Sequence, residues 1–253
     1  MASQEDFPKD NHPEGLTENQ EILADLLFET KQIAPVTRRF GEPGNYRFEK
    51  IERPTSPIDF AQEGEFALKM HENQPDAPLS PIFVNIRNLP ESLVNRVGLA
   101  LSEIPTDEPS DFCAGIPKAG LPLSKAYSHY SGIPVIDIFG KEETGDRRKI
   151  IAGEGIDTAG TNVRLIDDLA TSGETKLEAI RAAEEMGLRV VDILVLVDRQ
   201  QGAIKQLREA GYTLKAAFTL DQLLKYGLRT DKISVEQYNQ VKEYLSFQSY
   251  VIN

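Results

Sequence analysis

Residues 163–175 read Val-Arg-Leu-Ile-Asp-Asp-Leu-Ala-Thr-Ser-Gly-Glu-Thr. A hydrophobic run ends in two adjacent carboxylates, Asp167 and Asp168. A short turn, Thr171-Ser172-Gly173, leads from there into a helical pattern at Glu174. Amides of a turn that opens a helix converge at the positive end of the helix dipole, and the hydroxyls of Thr171, Ser172 and Thr175 add donors. Together they make an anion cradle suited to a phosphate. Carboxylates pointing into the same cradle would repel that phosphate. Asp167 and Asp168 are therefore better placed to accept hydrogen bonds from sugar hydroxyls. A strand, an acidic cap and a helix with no ligand would use the same residue types, because Asp and Thr cap helices unaided.

Other reactive side chains are sparse. The single cysteine, Cys113, excludes an internal disulfide framework and the usual Cys/His zinc patterns. It is expected to be a small buried residue. His12, His71 and His129 lie far apart in the chain, with no metal-ligand neighbour; His129 is expected at a helix end, and His71 in a loop.

The cradle must be positioned by strands and helices. Val163–Ile166 is expected as a strand and Glu174–Met186 as a helix closed by Gly187. Val190–Val197 is nearly continuous apolar sequence, the pattern of a strand buried on both faces. Upstream, strands are expected at Ile82–Arg87, Phe112–Ala114 and Pro134–Phe139, with helices after Pro90 and over Leu121–Tyr130. Downstream follow a helix at Ala203–Ala210, an extended Leu214–Phe218 and two short C-terminal helices, the second opened by the capping box Ser234-Val-Glu-Gln237. Such alternation means an α/β fold with a parallel sheet between helices. Residues 21–33 read as an amphipathic helix, and 35–65 as loop-rich with a short strand near Tyr46–Ile51. Phe66–Lys69 reads as extended, and the charged stretch 140–153 as a long exposed loop.

The 253 residues carry a formal net charge of −12. That balance argues against long nucleic acid as a partner. Residues 1–30 hold eight acids and one lysine, so they supply −7 of it. Residues 1–20 are expected to be a disordered acidic tail. No signal peptide and no apolar run approaching about 20 residues is visible, so a cytoplasmic protein without a membrane span is expected.

Leu165-Ile-Asp-Asp-Leu-Ala-Thr-Ser-Gly-Glu-Thr175 resembles the phosphoribosyl diphosphate (PRPP) signature of type I phosphoribosyltransferases, with Arg164 and Ala170 departing from the usual apolar choices. Phe66-Ala-Leu-Lys69, with Ser80-Pro-Ile-Phe-Val-Asn-Ile-Arg87, is similar to the N-terminal motif of orotate phosphoribosyltransferases. Ala114-Gly-Ile-Pro-Lys-Ala-Gly-Leu-Pro122 resembles their pyrophosphate loop. Val197-Asp-Arg-Gln-Gln-Gly202, Ala210-Gly-Tyr and Phe218-Thr-Leu resemble the end of the domain, especially in UMP synthases. The resemblance covers roughly residues 20–245.

This likeness implies the type I phosphoribosyltransferase fold: a central, mostly parallel sheet with helices on both faces and a small N-terminal hood. The domain would span 21–253, with the hood formed by about 21–90 plus the C-terminal helices. The chain leaves no length for the decarboxylase domain of bifunctional UMP synthases, so none is expected. The implied reaction is transfer of ribose 5-phosphate from PRPP to orotate, giving orotidine 5′-phosphate and pyrophosphate, with magnesium held through substrate oxygens and water and with a homodimeric assembly. Asp167 and Asp168 would hold the ribose hydroxyls. The whole run Asp167, Asp168, Leu169, Ala170, Thr171, Ser172, Gly173, Glu174 and Thr175 would bind PRPP, together with Lys118, one position off the family lysine. Lys69, Phe83, Thr171 and Arg199 would contact orotate, the guanidinium suiting its planar carboxylate.

One loop departs from the family. Its members usually carry Arg-Lys-Glu, then the catalytic lysine two residues on, in a loop that closes over the site. Here Lys141 and Glu142 match, but Gly140 replaces the arginine and Thr144 stands where the catalytic lysine belongs. Arg147, Arg148 and Lys149 are then the candidates, beside Lys141 and Asp168, for catalytic roles. The same departure leaves open a protein that binds PRPP or a nucleotide without turnover, or a transferase for another base.

Overall fold

A computed structural model describes residues 15–67, 69–144, 147–152 and 160–251. In chain order the elements are α1 (Glu18–Glu29), β1 (Gln32–Phe40), β2 (Arg47–Thr55), β3 (Ile58–Phe60), β4 (Ile82–Val84), α2 (Glu91–Ser102), β5 (Phe112–Gly115) and α3 (Gly120–Ser131). There follow β6 (Phe139–Thr144), β7 (Arg147–Ala152), β8 (Asn162–Ala170), α4 (Glu174–Glu185), β9 (Arg189–Asp198), α5 (Ala203–Glu209), β10 (Leu214–Thr219), α6 (Leu220–Arg229) and α7 (Val235–Val251). They fall into two compact units, one of residues 18–23 and 86–222, the other of the remaining N-terminal residues to 85 with 223 onward.

The larger unit is the expected α/β core. Its parallel sheet runs β10-β9-β8-β5, with α3 against β5 and β8, α4 against β9, and α5 against β10. Alternate residues of β8 face opposite layers. Val163 and Leu165 join Ala179, Ile180 and Ala183 of α4 in one apolar cluster. Arg164, on the other side, reaches the Tyr127 hydroxyl of α3. Val190–Val197 lies within β9 and is almost wholly buried, as its nearly continuous apolar pattern requires. Gly132 ends α3 in the left-handed region at φ 74°, closing the helix as expected.

Two expectations in this unit change. Pro134–Phe139 is not a strand. Only Val135 pairs, through the Cys113 amide donating to Pro134 and the Ile136 amide donating to Cys113, because β5 is only four residues long and offers little edge. Residues 140–153 are not a loop as far as they are described: β6 and β7 form an antiparallel ribbon. Its register sets Glu142 opposite Lys149 and Glu143 opposite Arg148, and opposite charges across a strand pair favour pairing. β7 lies alongside α4.

The smaller unit holds two antiparallel ribbons, β1–β2 and β3–β4. The span 35–65, read as loop-rich, is therefore largely strand. Pro35 and Pro54 are tolerated because this two-stranded ribbon consists of edges, where a missing N–H breaks no central ladder. Phe66–Lys69 is not extended: Phe66 has φ 60° and a 3-10 turn begins at Lys69. The first helix starts at Glu18 and ends at Glu29, so Ile33 passes to β1, and Leu16, in the stretch read as tail, is buried. The expectation for residues 1–14 lies outside the described residues. The second C-terminal helix, α7, has 17 residues rather than being short, and its capping box forms. The Gln237 amide donates to Ser234 Oγ at 3.1 Å while the Ser234 amide donates to Gln237 Oε1 at 2.9 Å.

Candidate active site

β8 delivers its carboxylates on its last turn of strand rather than beyond it. Side chains alternate across the strand, so adjacent Asp167 and Asp168 have different fates. Asp167 is 6% exposed and fully engaged: Oδ2 lies 2.7 Å from Lys176 Nζ, and Oδ1 accepts the Asp168 amide at 2.9 Å. Burial pushes its carboxyl up to about 7, with neighbouring Asp168 adding to the rise and Lys176 opposing it. Asp168 is half-buried and open to solvent at the strand end.

The turn after β8 is fixed from one side by the chain that follows β9. The Ala170 carbonyl accepts the Arg199 amide at 2.9 Å, and the Thr171 carbonyl accepts the Ala203 amide at 3.1 Å. In a planar trans peptide the N–H points opposite to the C=O. These two bonds therefore turn the Thr171 and Ser172 amides to the far side, next to the start of α4. Gln206 Oε1 accepts the Gly173 amide at 2.7 Å. Ser172, Glu174 and Thr175 are exposed and Thr171 is half-buried, so the hydroxyls expected to serve an anion are accessible. These groups lie at the carboxyl end of a parallel strand, where open α/β sheets bind ligands.

The segment Gly115–Gly120 packs against the same strand end. The Ile116 amide donates to the Ile166 carbonyl at 2.8 Å, and the Pro117–Lys118 peptide is cis. Lys118 is exposed. A Cβ on Gly120 would lie 2.2 Å from the Ile166 carbonyl oxygen, and one on Gly115 would lie 2.4 Å from the Gly120 carbonyl oxygen. Both clashes are with backbone, which cannot rotate aside. Gly120→Ala is accordingly expected to lower stability by about 1–3 kcal/mol, the usual cost of overpacking, read from denaturant unfolding.

Arg199, half-buried, follows Asp198, whose carboxylate accepts the Gln200 amide at 2.9 Å and is pushed up by burial. Asp167 through Thr175, Lys118 and Arg199 all belong to the larger unit. Lys69 and Phe83 belong to the smaller one. There Phe83 on β4 is half-buried and stacks on buried Phe66, centroids 4.8 Å apart. Arg53 lies 5.6 Å from the Phe66 ring and pairs with Glu65 at 2.6 Å and Asp59 at 2.7 Å. The backbone of Lys69 opens the 3-10 turn, Lys141 lies on β6, and Arg147, Arg148 and Lys149 lie on β7. The side chains of these five fall outside the described ones. Cys113 is buried, with its thiol pushed up to about 12 by desolvation, as befits a packing residue. His71 is buried and its Nε2 donates to the Pro78 carbonyl at 3.2 Å; His129 is exposed at the end of α3.

Lys176 and Gln206 were missed by sequence reasoning. Lys176 left a signal: it lies three, four and seven residues before Ala179, Ile180 and Ala183, on the apolar face of its helix. A lysine there needs a buried partner. Gln206 left none, since its role depends on α5 meeting the turn.

No protein-family model matches the chain. It is 32% identical over 170 residues to the orotate phosphoribosyltransferase of Sulfurisphaera tokodaii, an alignment covering 66% of this chain and 85% of that enzyme. The structure of Leishmania donovani UMP synthase matches with a TM-score of 0.65 and 28% identity over 90% of this chain, which spans 42% of that protein. Mycobacterium tuberculosis orotate phosphoribosyltransferase, solved in complex with PRPP, shares the fold at a TM-score of 0.50 and 18% identity, covering 81% of this chain and 98% of that one. At 32% identity over 85% of the Sulfurisphaera tokodaii enzyme, the chain belongs to the orotate phosphoribosyltransferase family.

Proposed function

We propose that the protein transfers ribose 5-phosphate from PRPP to orotate, giving orotidine 5′-phosphate and pyrophosphate in pyrimidine biosynthesis. The observation that carries this is the cradle formed by Asp168, Thr171–Thr175 and the start of α4. The 5′-phosphate sits against the amides and hydroxyls after Ala170, and Asp168 accepts a hydrogen bond from a ribose hydroxyl. The C–O bond to pyrophosphate breaks and the C–N bond to the base forms, the base nitrogen giving up its proton to water, so positive charge develops on the sugar and negative charge on the leaving group. Asp168 stabilises the former; Lys118, beside Gly115–Gly120, faces the latter. Arg199 takes the orotate carboxylate, and Lys69 and Phe83 occupy the family's base-contact positions.

Magnesium fits this reading as an ion held mostly by substrate. Among the described residues no group of three or more His, Cys, Asp or Glu gathers as a metal site. Substrate oxygens and water would supply the ion's oxygen shell. When bound, the ion would neutralise charge on the leaving group. The proposal includes a homodimer and a cytoplasmic setting. Among the described residues no helix is long and apolar enough to cross a membrane.

The test is orotate consumption followed by its absorbance, with the expected result that it requires both PRPP and magnesium. Of Arg148→Ala and Lys149→Ala, the one that removes the cation that Thr144 lacks should lower kcat by roughly 10²-fold, the scale of losing one group that stabilises developing charge. Saturable PRPP binding by calorimetry without any product would overturn the enzymatic reading.

A further inference from the structure

We infer that Lys176 is a positioning residue for PRPP, a buried ammonium that neutralises one of the two adjacent carboxylates and staples the ends of the phosphate turn together. The inference rests on the proposed function and deepens it. Lys176 lies in the first turn of α4, with its side chain only 6% exposed. Its Nζ lies 2.7 Å from Asp167 Oδ2 and also donates to the Leu169 carbonyl. The partners sit before the turn and the lysine after it, so one ammonium spans residues 170–175. Asp167 in turn accepts the Asp168 amide through its other oxygen, which fixes the backbone from which the Asp168 carboxylate projects.

Charge explains why such a residue is useful here. Two neighbouring carboxylates beside a polyanionic ligand oppose its binding. A buried counter-charge removes one of them without removing the hydrogen-bond acceptor that orders the strand end. Asp168 is then left as the accessible acceptor of the pair. Burying an ammonium is costly unless it is paired and hydrogen-bonded, and Lys176 has both a carboxylate and a carbonyl.

The competing account is a purely structural ion pair, and two variants separate them. Lys176→Met strands Asp167, so it loses stability; the double variant Asp167→Asn/Lys176→Met removes the stranded charge and should regain most of it. PRPP and orotate affinities are measured by calorimetry and from KM, with unfolding followed in parallel. A positioning role predicts that PRPP binding weakens about tenfold, the size of one charge-assisted hydrogen bond, in the double variant as well, because the staple to Leu169 is gone. The KM for orotate should stay within about twofold of wild type. Recovery of PRPP affinity together with stability in the double variant overturns the inference, as does a Lys176→Met protein that binds PRPP like wild type. Wild-type protein that fails to bind PRPP overturns instead the reading on which the inference rests.

Discussion

Asp168→Asn lowers kcat/KM for orotate by roughly 10²–10³-fold while leaving the fold intact, the range seen when one group aimed at developing charge is removed. The side chain is half-buried at the end of β8 and its own backbone amide is held by Asp167. Asparagine keeps the shape and that amide bond. On the proposed function, what it loses is the negative charge that would face a sugar becoming cationic, and one of the two oxygens able to accept from a hydroxyl. Steady-state kinetics with PRPP and orotate each varied measure the loss, and equilibrium unfolding measures stability. An Asp168→Asn enzyme with near-normal turnover would remove Asp168 from the mechanism. The same change at Asp167 should behave differently, because it strands the Lys176 ammonium, and its first effect is on stability.

Arg164→Leu is expected to cost about 3–5 kcal/mol of stability, the scale of leaving one member of a buried pair uncompensated. Arg164 lies inside the sheet where the family pattern is apolar, and the surrounding structure satisfies it. Nε and Nη2 fork onto Asp192 at 2.5 and 3.0 Å, Nη1 donates to the Tyr127 hydroxyl at 2.9 Å, and Nη2 also donates to the Glu108 carbonyl at 2.9 Å. Both charged side chains are almost wholly buried. Removing the arginine leaves Asp192 charged in an apolar layer, or forces it to take up a proton. The double variant Arg164→Leu/Asp192→Leu should recover most of the loss, since well-packed apolar residues often replace a buried pair at little cost. Denaturant unfolding of the two proteins decides the matter. A single variant as stable as wild type would mean that the network contributes nothing.

Arg164 and Asp192 also mark where reading the chain stops. They are 28 residues apart, each looks like an interruption of an apolar strand, and only the parallel register of β8 on β9 makes them partners. Arg164 shows in the sequence only as a departure from an apolar choice, and Asp192 only as the residue that keeps Val190–Val197 from being wholly apolar. The ribbon β6–β7 is a similar case: its composition reads as solvated loop, whereas the pairing of Glu142 with Lys149 and Glu143 with Arg148 follows from a register that composition does not contain. The ribbon β1–β2 was obscured by Pro35 and Pro54, which are breakers in a central strand but harmless on an edge. Strand centrality is a property of the sheet, not of the segment.

Local order alone dictated the helix from Glu174, the buried strand from Val190, the glycine stop after α3 and the Ser234–Gln237 cap. Each of these depends on periodicity, on capping chemistry or on backbone freedom within a few residues, and such short-range preferences are written directly in the chain. The tertiary structure decided which carboxylate of Asp167 and Asp168 is accessible, that Lys176 neutralises the other, and that the segment 199–206 turns the amides of the cradle outward. Those outcomes require residues separated by loops to meet at hydrogen-bonding distance. The apolar packing of α4 and α5 against the sheet sets that distance, and no property of the motif alone determines it.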